Sequence, residues 1–219
     1  PVDGAGEHVR VAAIRAELVK LRRRRVLLVT AATTIAFAVG GAAIVLVSAD
    51  PTGDPRNRGA TLESLAEPGG GTEVFTTAIS FAGTFLFVVF VGAVAVEFSR
   101  GTFRTMLLYE PRRLRLLSGK MAGLLLFAAV VLAAAEVLTW VAARLLAPSQ
   151  DVDTGEWVSA AALGDALTDY ASVLFWVTGY ALLGMTLAVL VRSVPVALAI
   201  GIAWAGPFEH LLQPLLVPR

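Results

Sequence analysis

Four stretches of this chain, 26–47, 74–96, 121–146 and 171–191, each run past twenty residues with almost nothing that water would hold. Three of them carry no charged residue; the stretch 121–146 carries Glu136 and Arg144. A helix needs about 20 apolar residues to cross ~30 Å of hydrocarbon. Inside lipid every backbone N–H and C=O must find a partner within the protein, and a helix supplies that from its own turn. The alternative, a closed barrel, needs strands of about 10 residues that alternate apolar and polar. These runs are continuous Ala, Leu, Val, Ile and Phe, so the chain reads as an all-α, polytopic helical membrane protein. A shorter fifth run, 195–207, fits the same reading. Charged residues make up 16% of the chain, against about 25% in a soluble domain, and the deficit is concentrated in the runs.

The remaining residues divide the chain into two parts. Residues 1–25 form a cytoplasmic amino-terminal segment, and 26–219 a single transmembrane domain. Within 9–25, Val11, Ile14, Leu18 and Leu21 recur at helical spacing while Arg10, Arg15, Glu17 and Lys20 take other faces. This pattern predicts an amphipathic helix lying on the membrane surface. It ends in four arginines, Arg22 to Arg25, directly before the first apolar run. That run is too long for a signal-peptide core, so the arginines read as a cytoplasmic anchor.

Basic residues set the orientation. Seven lie in the amino-terminal segment, six in 97–120, and Arg192 comes after the fourth run. The opposite side holds four, Arg56, Arg58, Arg144 and Arg219, together with eleven of the seventeen acids. The amino-terminus, the 97–120 loop and the turn at Arg192 are therefore expected in the cytoplasm. The loops 48–73 and 147–170, with Asp151, Asp153, Glu156, Asp165 and Asp169, are expected outside.

Several chemistries are excluded. There is no cysteine, and the two histidines, His8 and His210, stand far apart, so no metal cluster is expected. No Ser/His, His/Glu or paired-Asp constellation lies in the spans, which argues against an intramembrane enzyme. No G-x-x-x-x-G-K-[ST] phosphate cradle occurs, so the chain is not expected to hydrolyse ATP by that route.

One cytoplasmic segment is more than basic decoration. Glu97 closes the second span. Ser99-Arg100-Gly101-Thr102-Phe103-Arg104 comes next, with Leu107, Glu110-Pro111-Arg112-Arg113 and Gly119-Lys120 beyond. Gly101 suits a turn, Thr102 suits the cap of a helix starting at Phe103, and Pro111 closes that helix. The result is an expected short helix over 103–109 held against the membrane face, a form suited to docking a partner.

The pattern Glu-x-x-x-Gly-Thr-x-Arg-x-x-Leu, then Pro-Arg-Arg and Gly-Lys before the third span, resembles the permease subunits of type-two ABC exporters. The preceding amphipathic helix, with Glu17, Lys20 and Arg22, resembles that family's connecting elbow helix. The resemblance covers nearly the whole chain in layout and about 25 residues in motif. It implies six spans, pairing as a homo- or heterodimer, and a separate cytoplasmic ATPase that binds ATP and Mg, with no cofactor bound by this chain. It implies that the loop after span two couples to that ATPase through Glu97, Arg100, Gly101, Thr102, Phe103, Arg104, Leu107 and Pro111. Five spans are visible instead of six. Either the sequence is truncated or the last helix is absent, with Gly206-Pro207 the start of a re-entrant hairpin.

Candidate residues for the translocation path are Phe81, Phe85 and Glu136. A carboxylate near mid-membrane is a functional candidate by default, with a protonated structural group as its bland alternative. Phe81, Phe85, Phe87 and Phe90 crowd span two, where helix packing or lipid contact is the commoner role. The expected function is a multi-pass exporter permease in a bacterial plasma membrane, carrying an amphiphile, lipid, peptide or drug-like molecule, with no nucleic-acid partner. A non-transporting membrane scaffold or anchor is the rival.

Overall fold

A computed structural model of the chain describes residues 25–50, 60–99, 113–191 and 193–203. The described residues are helical nearly throughout: α1 (Arg25–Val47), α2 (Leu62–Ala66), α3 (Gly70–Ser99), α4 (Arg113–Leu146), α5 (Ala160–Val191) and α6 (Val194–Ala203). Two 3-10 turns, Ala147–Gln150 and Gly155–Val158, join α4 to α5. Among the described residues the only strand-like pairing is an isolated bridge between Asp50 and Thr61. Among the described residues three helices are long and apolar enough to cross a bilayer, over Leu27–Val47, Leu116–Gln150 and Ala160–Val191. The fourth long helix, α3, has 30 residues and includes the apolar stretch Leu86–Val96. The protein is an all-α, polytopic membrane protein.

The helices outrun the apolar stretches that announce them. Helix α4 begins at Arg113, so Arg113, Arg115 and Lys120, expected in a loop, lie on its first turns. Helix α5 begins at Ala160, so Asp165 and Asp169, also expected in a loop, are helical. The start of α5 is set by capping. The Ser159 hydroxyl accepts from the Ala162 amide at 3.1 Å, and an alanine-rich first turn propagates well. Of the expected fifth run, α6 covers Val194–Ala203; its last residues lie outside the described ones, as does the expected amphipathic helix before Arg25.

The chain divides into two compact units, 29–85 with 128–177, and 1–28 with 86–127 and 178–219. In the first, Ala42 and Leu46 at the end of α1 share a buried cluster with Val74 at the start of α3 and with Ala143 and Ala147 around the end of α4. Leu65, Val152 and Trp157 from the connections complete it. Helices α1 and α4 therefore run parallel, and α3 runs against both. The connections form a cap over this end of the unit. A Thr61–Ser64 capping box starts α2, with Ser64 N–H donating to the Thr61 hydroxyl at 3.1 Å and Thr61 N–H to the Ser64 hydroxyl at 3.2 Å. The Trp157 indole donates to the Leu65 carbonyl at 2.8 Å. A side chain at Gly70 would run into the Leu65 carbonyl, and one at Gly71 would meet Trp140 at 2.8 Å and Trp157 at 3.1 Å. The Arg144 guanidinium lies over the Trp140 ring, 5.3 Å from its centre. Asp151, at φ 58°, takes the left-handed conformation that turns the chain after Ala147–Gln150, a conformation short polar residues tolerate.

Below the cap, small residues recur on the packed faces of α1 and α4. Helix α1 buries Thr34, Ala38, Ala42 and Leu46 at four-residue intervals, and α4 buries Ala135, Thr139 and Ala143, with Ala147 of the following turn in line. Small side chains at this spacing let helix backbones approach closely, the usual source of contact where lipid removes the hydrophobic drive. At Gly41 an added Cβ would stand 2.9 Å from the Ala78 Cβ, which fixes how near α1 comes to α3.

In the second unit Phe87 is the anchor. With Val91 it packs against Ala197 of α6, flanked by Tyr180, Leu187 and Val191 of α5. Its ring meets Tyr180 edge-on at 5.9 Å and 88°, an arrangement aromatic quadrupoles favour. The ring fills the space a side chain at Gly201 would need. Phe90 is buried as well, so both rings serve packing.

Candidate functional site

Two features stand out as sites: the end of α3 that carries Glu97, and the carboxylate of Glu136 inside the bundle. Glu97 lies in the last turn of α3, which ends at Ser99. The remaining motif residues, Arg100, Gly101, Thr102, Phe103, Arg104, Leu107 and Pro111, lie outside the described residues. So do Glu17, Lys20 and Arg22. Phe81 and Phe85 fall on α3, in the half that belongs to the first unit.

Glu136 sits on α4 eleven residues before Ala147, about 16 Å below the cap at 1.5 Å per residue. That is near the middle of a ~30 Å hydrocarbon layer. Its Oε1 is buried and has no hydrogen-bond partner. Burying a polar group without a partner costs roughly 2–7 kcal/mol, and an isolated charge far more. The Asp169 side chain of α5 is near enough to act on Glu136 electrostatically. Asp169 stands nine residues into α5. The Tyr170 hydroxyl, next to Asp169 in the chain, donates at 3.0 Å to the carbonyl of Ala129, seven residues before Glu136 on α4.

Beside Glu136, three residues on along the same helix, Thr139 is fully buried and its hydroxyl has no partner. Residues three apart are neighbours on a helix surface. Arg144 lies eight residues beyond Glu136, about 12 Å along the axis, and its guanidinium is held over Trp140. Among the described residues no group of three or more His, Cys, Asp or Glu side chains is placed to hold a metal ion.

The charge at Glu136 is visible in the sequence because it interrupts an apolar run. Its companion Asp169 is not, because it precedes the apolar part of α5 and looks like loop. The signal that reveals it is Ser159 before three alanines, a helix start ahead of the membrane stretch. A shallow depression of about 540 Å³ on α5, lined by Leu167, Thr168, Ala171, Ser172 and Phe175, lies on another face of that helix from Asp169. One helix alone lines it, as expected of a lipid-facing surface.

A family model described as "ABC-2 family transporter protein" matches residues 13–206. No curated protein and no solved structure shows significant similarity to the chain.

Proposed function

The chain belongs to the ABC-2 transporter family, and from that premise we propose that it is the permease subunit of an ATP-driven exporter. It works as a transmembrane pathway paired with a second permease chain, identical or related. A separate cytoplasmic ATPase binds ATP and Mg and drives it. The family match spanning most of the chain carries the reading. Two further observations support it. The sequence holds no phosphate cradle of its own, so energy must come from a partner. And α3 ends at Ser99 while α4 begins at Arg113, which leaves 100–112 as the connection in which the Gly-Thr, Arg and Pro motif falls.

In this reading the amino-terminus and 97–120 face the cytoplasm of a bacterial cell and the Trp157 cap faces outside. Closure of the ATPases pushes on 103–109. Glu97, at the end of α3, passes that push to the long helices, with the elbow segment around Glu17, Lys20 and Arg22 moving alongside. The bundle then shifts as rigid bodies and opens outward. Phe81, Phe85 and Glu136 line the route.

Affinity purification of the tagged chain tests this. An ATPase with Walker motifs is expected to come down with it, and the Glu97→Ala and Arg104→Ala variants are expected to retain the ATPase while losing most of the stimulation of its turnover. An ATPase that binds normally but whose turnover ignores both changes would overturn the coupling assignment. A chain that captures no ATPase would instead be a scaffold.

A further inference from the structure

Arg144 lies in the last turn of α4, about 4.5 Å along the axis from the turn that begins at Ala147. The apolar span that contains it runs on to Gln150, and Leu145 and Leu146 beside it are exposed. Arg144 therefore stands where hydrocarbon gives way to headgroups. Arginines at such a level usually snorkel, with the stem on apolar surface and the charged head in water. Arg144 departs from that habit. Its guanidinium is laid over the Trp140 ring, and one terminal nitrogen, Nη1, is buried with no hydrogen-bond partner, so no carboxylate among the described residues meets that nitrogen. The ring beneath is itself held in place, because a side chain at Gly71 would stand 2.8 Å from it. Stacking uses one face of the guanidinium and leaves its fork of N–H donors free for a planar or tetrahedral anion. On the same side of α4, three and seven residues back, Val141 and Val137 are exposed. A cation of fixed plane, with a donor unspent, thus heads an apolar strip that the chain leaves uncovered.

We propose that Arg144, stacked on Trp140, is a binding site for an anionic phospholipid of the leaflet on the cap side, with the lipid phosphate on the guanidinium and an acyl chain along Val141 and Val137. The charge of the ligand follows from the unpaired Nη1, since an N–H bound to a charged oxygen is the strong form of hydrogen bond and the guanidinium fork fits a phosphate at two points. Its apolar part follows from the exposed valines and from Leu145, which a free anion would leave uncovered. Anionic lipids are favoured over zwitterionic ones because no ammonium of their own competes for the phosphate. The assignment holds whichever way the bundle faces and does not rest on the permease reading.

Native mass spectrometry of the full chain in detergent, titrated with dioleoylphosphatidylglycerol, tests it. A saturable lipid adduct is expected, weakened about tenfold or more by Arg144→Gln, the worth of a hydrogen bond to a charged group. Arg144→Lys keeps the charge but loses the planar fork and is expected to weaken binding several-fold. Dioleoylphosphatidylcholine should bind more weakly than the glycerol lipid, and inorganic phosphate should not displace it. Unchanged affinity in Arg144→Gln overturns the site. Equal binding of the choline lipid overturns it too, since only the apolar strip would then be at work, and so does displacement by inorganic phosphate, which would make this a site for a free anion. If Arg144→Gln fails to fold, Arg144→Lys decides, and unchanged affinity there overturns the site. A subunit count that falls in Arg144→Gln while lipid affinity holds would put an acid of a second chain on the guanidinium, and the lipid assignment fails with it. The measurement needs no ATPase, so its failure and the failure of the export reading are told apart.

Discussion

Replacing Trp157 by Phe removes one hydrogen-bond donor from the centre of the cap. The indole is 3% exposed and donates to the Leu65 carbonyl at 2.8 Å across 92 residues of sequence. Deprived of this donor in a buried place, the carbonyl costs about 1–3 kcal/mol. For a protein of 150–250 residues each kcal/mol moves the melting temperature by about 2–4 °C. The expected fall is therefore about 2–12 °C, read by circular dichroism of the detergent-solubilised protein. Gly71→Ala acts at the same place by overfilling it, since its methyl would stand 2.8 Å from Trp140 and 3.1 Å from the six-membered ring of Trp157; overpacking of this kind costs about 1–3 kcal/mol. Phenylalanine at 157 lacks the atom that the new methyl meets, so the double variant should lose less than the sum of the singles. Phe175→Ala is the control, because Phe175 is 83% exposed and packs on little of its own chain. Should Trp157→Phe melt with the wild type, or the two changes add fully, the cap is not held by this indole.

Gly201→Ala is expected to destabilise by about 1–3 kcal/mol, because Phe87 occupies the space and is itself pinned against Tyr180; Phe87→Leu in the same chain should restore part of the loss in a thermal melt. Ser159→Ala removes the cap of α5, with an expected cost of about 0.5–2 kcal/mol and faster amide exchange confined to 160–164. The chain has no cysteine, so single thiols report orientation directly. Val158→Cys should react with a membrane-impermeant maleimide in intact cells and Arg113→Cys only after lysis; the reverse pattern would invert the bundle and remove the basis for ATPase contact at 97–120.

Lipid makes the gross fold legible. A membrane helix announces itself by one-dimensional composition, so 26–47 is read almost to the residue as α1, Arg25–Val47. Composition says nothing about where a helix goes on into water. There the deciding events are local, such as the Ser159 hydroxyl on the Ala162 amide, and they carry α5 eleven residues beyond the apolar run 171–191. The contacts that close the cap, Trp157 on Leu65 and both tryptophans over Gly71, join residues far apart in the chain and leave no periodic trace.

The same limit governs the site. Alone in an apolar run, Glu136 reads as a cost that a single proton would cancel, which is why the bland interpretation is strong in the sequence. The fold adds groups that a proton leaves unexplained. Asp169 acts on Glu136 electrostatically from another helix, and two buried threonines leave their hydroxyls unspent where Thr168 and Thr186 satisfy theirs on their own backbone. A proton on Glu136 accounts for neither the second carboxylate nor the idle hydroxyls. Polar groups that could be satisfied locally and are not set this part of α1 and α4 apart from the apolar packing around it.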